Sequence, residues 1–366
     1  MKSNANRPLP RTIDDITPEW FTSALTIGGV LAGEAVTEVE IERIGFMEGF
    51  MGVHARLTPQ YDGPAQKLPS TLIAKLPDLD PAQRSAQSSA FKTEAGYYSA
   101  FPADDTTVHP RCYFAGRNPG MDDHVLLIED LSRGRSASMI RNMPPADAST
   151  VFDALAGFHA KHWNAPDLDA LDWAVDGRMP EAWLPAQDAY AAAWDEFDDK
   201  WGSYFSKPIW EIAKKLKTSL VDVLTVSDDV SVTLTHGDLR PENMFFFDDV
   251  PSGELALIDW QRATIQPGVW DLAYFVEFSL APGDRRSAER ELLQSYLDQL
   301  RASGVVDYTF DMLLTDYRRG LLTPLIRMIP TGSRIDPDLP RVKEVVRTML
   351  SRLDALTDWD CGDLLP

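Results

Sequence analysis

Between Thr235 and Phe247 the chain reads THGDLRPENMFFF, and about a dozen residues later comes LIDWQ, Leu257 to Gln261. Asp238 and Asn243 stand five residues apart, one just after an apolar run and the other just before the next. A loop of that length can aim both side chains into one space, and Asp259, at the end of the following run, can approach them. Two carboxylates and an amide are hard oxygen ligands of the kind Mg²⁺ accepts, with water and phosphates completing its shell. Phosphoryl transfer uses such a set: one carboxylate orients the acceptor hydroxyl and takes its proton, while the other and the amide hold the metal. The plainer alternative makes Asp238 a turn residue and Asp259 a strand-end cap.

The elements that must position these residues follow from pattern. TPEWFTSAL, from Thr17, is a capped helix. VTEVEIERI alternates apolar and charged residues over Val36 to Ile44, which predicts a half-buried strand. VHARLT and TLIAKL are further strands, and a helix is expected over 83–101. On that helix Phe91, Ala95 and Tyr98 share one face with Glu94 among them. A carboxylate turned inward there needs a cationic partner, since an unpaired buried charge is costly; the alternative is a solvated Glu94 and an exposed Lys75. RCYFAG and HVLLIED read as two more strands, so the first 130 residues predict a small sheet with a helix.

From Leu131 the chain is mainly helical, with ASTVFDALAGFHAKHW amphipathic and helices expected near 184–204, 208–225, 284–302, 308–328 and 338–356. Within it VSVTL, MFFF and ELALIDW are short strands, the last two joined as a hairpin through DDVPSG. The pair His159 and His162 lies three apart on a helix but has no carboxylate or Cys at suitable spacing, which favours packing over metal binding.

Bulk composition narrows the function classes. The 366 residues suffice for two lobes with separate cores. A net charge of −21 argues against a nucleic-acid partner, because nothing would neutralise a phosphate backbone. Two distant cysteines, Cys112 and Cys361, give neither a disulfide framework nor a metal spacing. The first residues lack an apolar signal core and no run approaches a membrane span, so a cytoplasmic location without membrane contact is expected. Oligomeric state is not legible.

HGDLRPEN with LIDW resembles the catalytic loop and metal-binding motif of the aminoglycoside phosphotransferase and choline kinase group, within the protein-kinase-like fold. GFMEGFMGVHARLTPQYDG, LIAKLP, HPRCYFAG and LLIEDL resemble segments of its bacterial ecdysteroid kinase-like branch, the match running from about residue 36 to 280. The resemblance implies a bilobal α+β fold: a nucleotide-binding lobe over 1–130, with a small antiparallel sheet and one helix, then a larger, mainly helical lobe over 131–366. It implies ATP and Mg²⁺ as cofactors, with MgATP bound between the lobes.

Carried over by position, Asp238 would be the catalytic base, and Asn243 and Asp259 the Mg²⁺ ligands. Lys75 would contact the α/β-phosphates and Glu94 would pair with it. Arg240 occupies the slot near the γ-phosphate, with a surface role as the alternative. His236 would support the loop by hydrogen bonds, and Asp271 would brace it. Ile128 to Leu131 would be the hinge, so that the backbone of Glu129 and Leu131 would face adenine. Gly45, Gly49 and Gly52 would cover the phosphates, although their spacing departs from Gly-x-Gly-x-x-Gly.

The resemblance therefore implies transfer of the γ-phosphoryl group of ATP to a hydroxyl of a small molecule. The acidic chain suggests a cationic, aminoglycoside-like or choline-like acceptor, whereas the aromatic content and the branch suggest a bulky apolar alcohol, the reading preferred here. A nucleotide-binding pseudokinase is the alternative from another class. A protein kinase is disfavoured because WQRATIQPGVW alone separates Asp259 from Asp271 and leaves no peptide platform.

Overall fold

The computed structural model describes residues 8–44, 52–64, 68–102, 108–118, 122–138, 141–227, 229–248 and 254–366. The expected phosphate loop, with Gly45 and Gly49, and most of the DDVPSG turn lie outside the described residues. Two compact units emerge: residues 1–134 with 256–262, and residues 135–255 with 263–366.

In the first unit, Thr17 accepts the Trp20 N–H and starts α1 (Pro18–Ile27), which lays Trp20, Phe21, Ala24 and Leu25 into the core. Strands β1 (Val36–Ile44), β2 (Val53–Tyr61), β3 (Leu72–Leu76), β4 (Cys112–Asn118) and β5 (Asp123–Glu129) form one antiparallel sheet in the order β1-β2-β3-β5-β4. The alternation in β1 is realised as expected, with Val39 and Ile41 turned to the core and glutamates to water. Asp80 caps α2 (Pro81–Ala100) at Ala82 N–H. That helix buries Gln87, Phe91, Glu94, Ala95 and Tyr98, a stripe at helical spacing that includes one carboxylate.

The second unit contains β6 (Arg135–Ser136), α3 (Pro145–Lys161), β7 (Val175–Asp176), α4 (Pro180–Trp201), α5 (Lys207–Leu224), β8 (Thr233–Thr235) and β9 (Met244–Phe247). After β10 (Glu254–Leu257), within which the chain enters the first unit, come β11 (Thr264–Gln266), α6 (Val269–Ser279), α7 (Pro282–Ala302), α8 (Phe310–Gly320), α9 (Thr323–Ser333), α10 (Pro340–Arg352) and α11 (Ala355–Asp358). Strand β11 pairs antiparallel with β8 and parallel with β7. Every residue of α6 is buried, as an all-round apolar helix requires.

Four expectations are corrected. The strand expected over VSVTL is Thr233–Thr235, and the one expected over ELALIDW stops at Leu257, because Asp259 adopts a left-handed φ of 70° that no strand accommodates. The single helix expected over 308–328 is two, α8 and α9, divided at Leu321–Leu322. Pro324 cannot continue α8, since its ring would strike the carbonyl one turn back. The helix expected over 338–356 likewise ends at Arg352. Among the described residues no helix is long and apolar enough to cross a membrane.

Candidate active site

In the first unit a charged cluster forms on β3. Lys75 Nζ lies 2.7 Å from Glu94 Oε2 and 2.8 Å from Asp259 Oδ1. The inward face of α2 delivers Glu94, and the buried fraction of both partners is nearly complete, with side-chain exposures of 7% for Lys75 and 1% for Glu94. Burial alone would lower the Lys75 ammonium, but Asp259 and then Glu94 hold it above its usual range. Burial raises the Glu94 carboxyl, and Lys75 offsets only part of that because Asp259 shares the same ammonium. His54, opposite Lys75 across the β2–β3 pair, is pushed down to about 4 by burial and then by Lys75.

Asp259 is held in its unusual backbone conformation by its neighbours. Trp260 is fully buried, stacks on Tyr97 with centroids 3.9 Å apart, and donates from Nε1 to the Leu257 carbonyl at 2.9 Å. Leu257 N–H donates to the Val108 carbonyl, and Gln261 Nε2 donates to Asp259 Oδ2 at 2.8 Å. Aspartate is among the residues that tolerate positive φ, and such strain persists where surrounding structure fixes it.

Gly52 has a structural reason for its type. Its φ is 79°, and a Cβ there would stand 2.2 Å from the Leu76 carbonyl oxygen. Glu129 ends β5, its N–H donating to Arg111 O and its side chain accepting from Arg111 N–H. The N–H of Glu129 is thus engaged inside the sheet. Leu131 is buried, and its carbonyl accepts from Gly134 in a turn.

In the second unit, β8 leads into the loop carrying Asp238. Asp271, on α6, accepts from the N–H groups of His236 and Gly237 at 2.6 and 2.9 Å. His236 Nδ1 accepts from Asp238 N–H, and Gly237 takes a φ of 72°. His159 packs on the same brace, with Nε2 at 3.4 Å from Asp271 and Nδ1 at 2.9 Å from Tyr296 Oη. The HAKH motif is therefore built into packing through its first histidine. Asn243 is buried and donates from Nδ2 to the Asp238 carbonyl at 2.9 Å. Arg240 is half-buried, donates its N–H to the Asp238 carbonyl, and accepts from Asn243 N–H.

Two residues that sequence reading did not single out touch the Asp238 carboxylate. Tyr274 Oη donates to Oδ1 at 3.0 Å, and Arg327 Nη1 lies 2.6 Å from Oδ2. Burial keeps the Tyr274 phenol protonated above its usual range; Arg327 opposes that and Asp238 adds to it. Tyr274 lies three residues beyond Asp271 and could have been suspected from helical spacing. Arg327, 89 positions beyond Asp238, carried no local signal.

Each unit, taken by itself, holds a hard oxygen donor of the type Mg²⁺ accepts. Among the described residues no three His, Cys, Asp or Glu side chains form a metal cage. Mg²⁺ commonly takes one or two carboxylates and leaves the rest of its shell to phosphate and water. Asp259 offers a carboxylate in a cluster with two carboxylates for one ammonium, and Asn243 offers an amide oxygen.

A family model described as the ecdysteroid kinase-like family matches residues 47–304. Among solved structures, choline kinase from Cryptosporidium parvum Iowa II matches with a TM-score of 0.55 at 10% identity, covering 90% of this chain and 92% of the other. The GDP complex of aminoglycoside 2'-phosphotransferase-IIIa matches with a TM-score of 0.53 at 14% identity, covering 93% and 99%. At such identities these likenesses establish the fold, which is the α+β protein-kinase-like one. No curated protein matches.

Proposed function

From the premise that the chain belongs to the ecdysteroid kinase-like family, within the kinase-like phosphotransferases, we propose that it transfers the γ-phosphoryl group of MgATP to a hydroxyl of a small molecule. The observation that carries this reading is Lys75 bonded to both Glu94 and Asp259, which is the polar arrangement a nucleotide-binding lysine needs to be held charged and aimed. Lys75 binds phosphate oxygens, with Glu94 fixing its direction. Asp259 and Asn243 are the residues to hold Mg²⁺, and Asp238 orients the acceptor hydroxyl and receives its proton at a carboxylate oxygen. MgATP, when bound, supplies the transferable phosphoryl group and a metal that offsets phosphate charge. Arg240 offers a guanidinium to the charge that develops during transfer. Positioning and charge stabilisation, not covalent chemistry by the protein, would provide the rate.

The acceptor is a small hydroxylated molecule in this reading, and a bulky, largely apolar alcohol is preferred to an aminoglycoside-like one. The test is ADP release by the purified protein with MgATP and with MgGTP over pools of sterols, sugars, aminoglycosides and amino alcohols, with products screened for one added phosphoryl group. A phosphorylated product supports the transferase. Tight nucleotide binding with neither product nor slow ATP hydrolysis favours the pseudokinase.

A further inference from the structure

Helix α9 begins only because the chain breaks at Leu321–Leu322, and that break sends Arg327 to Asp238. The guanidinium sits over the Tyr274 ring at 5.7 Å, with Nη1 3.5 Å from Tyr274 Oη. Tyr274 in turn stacks on Phe278 with centroids 4.5 Å apart, so the platform beneath Arg327 is packed on both sides. The Asp238 side chain is 4% exposed, whereas that of Arg327 is 23% exposed. Arginine presents five N–H donors in a rigid fork. One nitrogen is committed to Asp238 and Tyr274, which leaves the other donors of the fork for further oxygens.

The Asp238 carboxylate is paired directly with a guanidinium at 2.6 Å. The chain as a whole carries −21. Exposed charges farther away than about 8 Å are largely screened at physiological salt. Remote carboxylates therefore cannot compensate an ammonium brought against a guanidinium.

We propose that Arg327 is a positioning and specificity-determining residue, which fixes the Asp238 carboxylate and turns the acceptor side against alcohols bearing an ammonium beside the reacting hydroxyl. The proposal rests on the phosphotransferase reading, in which Asp238 meets the acceptor hydroxyl. It selects neutral or anionic alcohols, whose oxygens can accept from the remaining donors of the fork. It rejects amino alcohols, because like charges at contact disfavour each other. Tyr274 orients the second carboxylate oxygen, so the two donors together set the direction in which Asp238 faces a hydroxyl.

The experiment compares three matched series on scaffolds from small to steroid-sized: vicinal diols, 2-hydroxy acids and 2-amino alcohols. Wild type, Arg327→Lys, Arg327→Gln and Arg327→Glu are assayed for phosphorylated product and for acceptor-induced thermal shift, with MgATP affinity measured alongside. Wild type is expected to prefer diols or hydroxy acids over amino alcohols by roughly 100-fold in kcat/KM. Arg327→Gln should bring that ratio within about tenfold, Arg327→Glu should reverse it, and Arg327→Lys should keep its order, with MgATP affinity unchanged throughout. Equal use of amino alcohols by wild type, or an unchanged ratio in Arg327→Gln, overturns the proposal. Should Arg327→Gln fail to fold, loss of the preference in folded Arg327→Glu supports it and retention overturns it. Diols or hydroxy acids that stabilise wild type but not Arg327→Gln, with no product formed, sink the transferase reading and leave the Arg327 assignment standing. Neither product nor thermal shift from any diol or hydroxy acid overturns the assignment itself.

Discussion

The two charged clusters, one in each unit, are balanced differently. Around Lys75 one ammonium meets the carboxylates of Glu94 and Asp259; around Asp238 one carboxylate meets the guanidinium of Arg327 and the phenol of Tyr274. The first cluster has acidic groups to spare for a metal. The second has guanidinium donors left over for oxygen. Their supports differ as well. Asp259, itself at a left-handed φ, is held by ring stacking and backbone bonds of its neighbours, whereas Asp238 is held by a carboxylate brace from α6 and a guanidinium from α9. Net charge of the whole chain therefore says little about either half, since each is set by contacts of about 3 Å, where local charges outweigh screened distant ones.

The contrast is tested most strongly by neutralising one aspartate at a time. Asp238→Asn should lower turnover by on the order of 10³-fold while leaving MgATP affinity within a factor of two, as expected for loss of a positioned acid–base group. Asp259→Asn should lower both turnover and Mg²⁺-dependent nucleotide binding. Calorimetry that finds unchanged nucleotide affinity in Asp259→Asn, or turnover kept in Asp238→Asn, would remove the division of labour between the clusters.

Next in size is the effect on stability of emptying a support. Glu94→Ala leaves Lys75 buried with one carboxylate instead of two, and should destabilise by about 3 kcal/mol, near the low end of the cost of breaking a buried pair. Asp271→Ala strands the N–H groups of His236 and Gly237, at about 1–3 kcal/mol for each that finds no other partner. Denaturant melts with an unchanged slope would measure both. The informative result is which of them also lowers turnover in the protein that remains folded: Asp271→Ala should, because it releases the loop that carries Asp238. Gly52→Ala should cost about 1–3 kcal/mol through its positive φ, before any adjustment around the Leu76 carbonyl.

How much of this was legible in the sequence depends on how far apart the partners lie. The strands of the first sheet, the capped α1 and the inward Glu94 were readable because each rests on local periodicity or on a carboxylate placed among apolar neighbours. The pairing of Glu94 with Lys75 across 19 positions needed the sheet as well as the pattern. Short strands β6, β7 and β11 were missed because two or three residues carry no period. Helix α6 was missed for a related reason: it is buried on every side, Asp271 and Glu277 included, and so has no apolar stripe set against a solvated face. Arg327 was invisible because its role depends on where Pro324 restarts a helix, a tertiary outcome that spacing from Asp238 does not encode.

The smallest effect is one of pH, and it separates the clusters by sign. His54 beside Lys75 has a folded pKa of about 4 against an ordinary value of 6.5, chiefly because burial disfavours its charged form. Above pH 6.5 it is neutral in both folded and unfolded chains and contributes no pH dependence. Between pH 6.5 and 4 the unfolded chain binds the proton first, so stability falls as pH falls through that window. His162 and His124, at about 4 and about 3, act in the same direction, so the whole protein should lose melting temperature on acidification below 6.5. His54→Gln should flatten part of that slope while leaving stability at pH 8 nearly unchanged. At the Asp238 carboxylate the charged partner is Arg327, which stays protonated across the window. Arg327→Gln should therefore shift stability by a similar amount at pH 5 and pH 8. A slope that changes in Arg327→Gln and not in His54→Gln would mean that the acid sensitivity belongs to the Asp238 cluster.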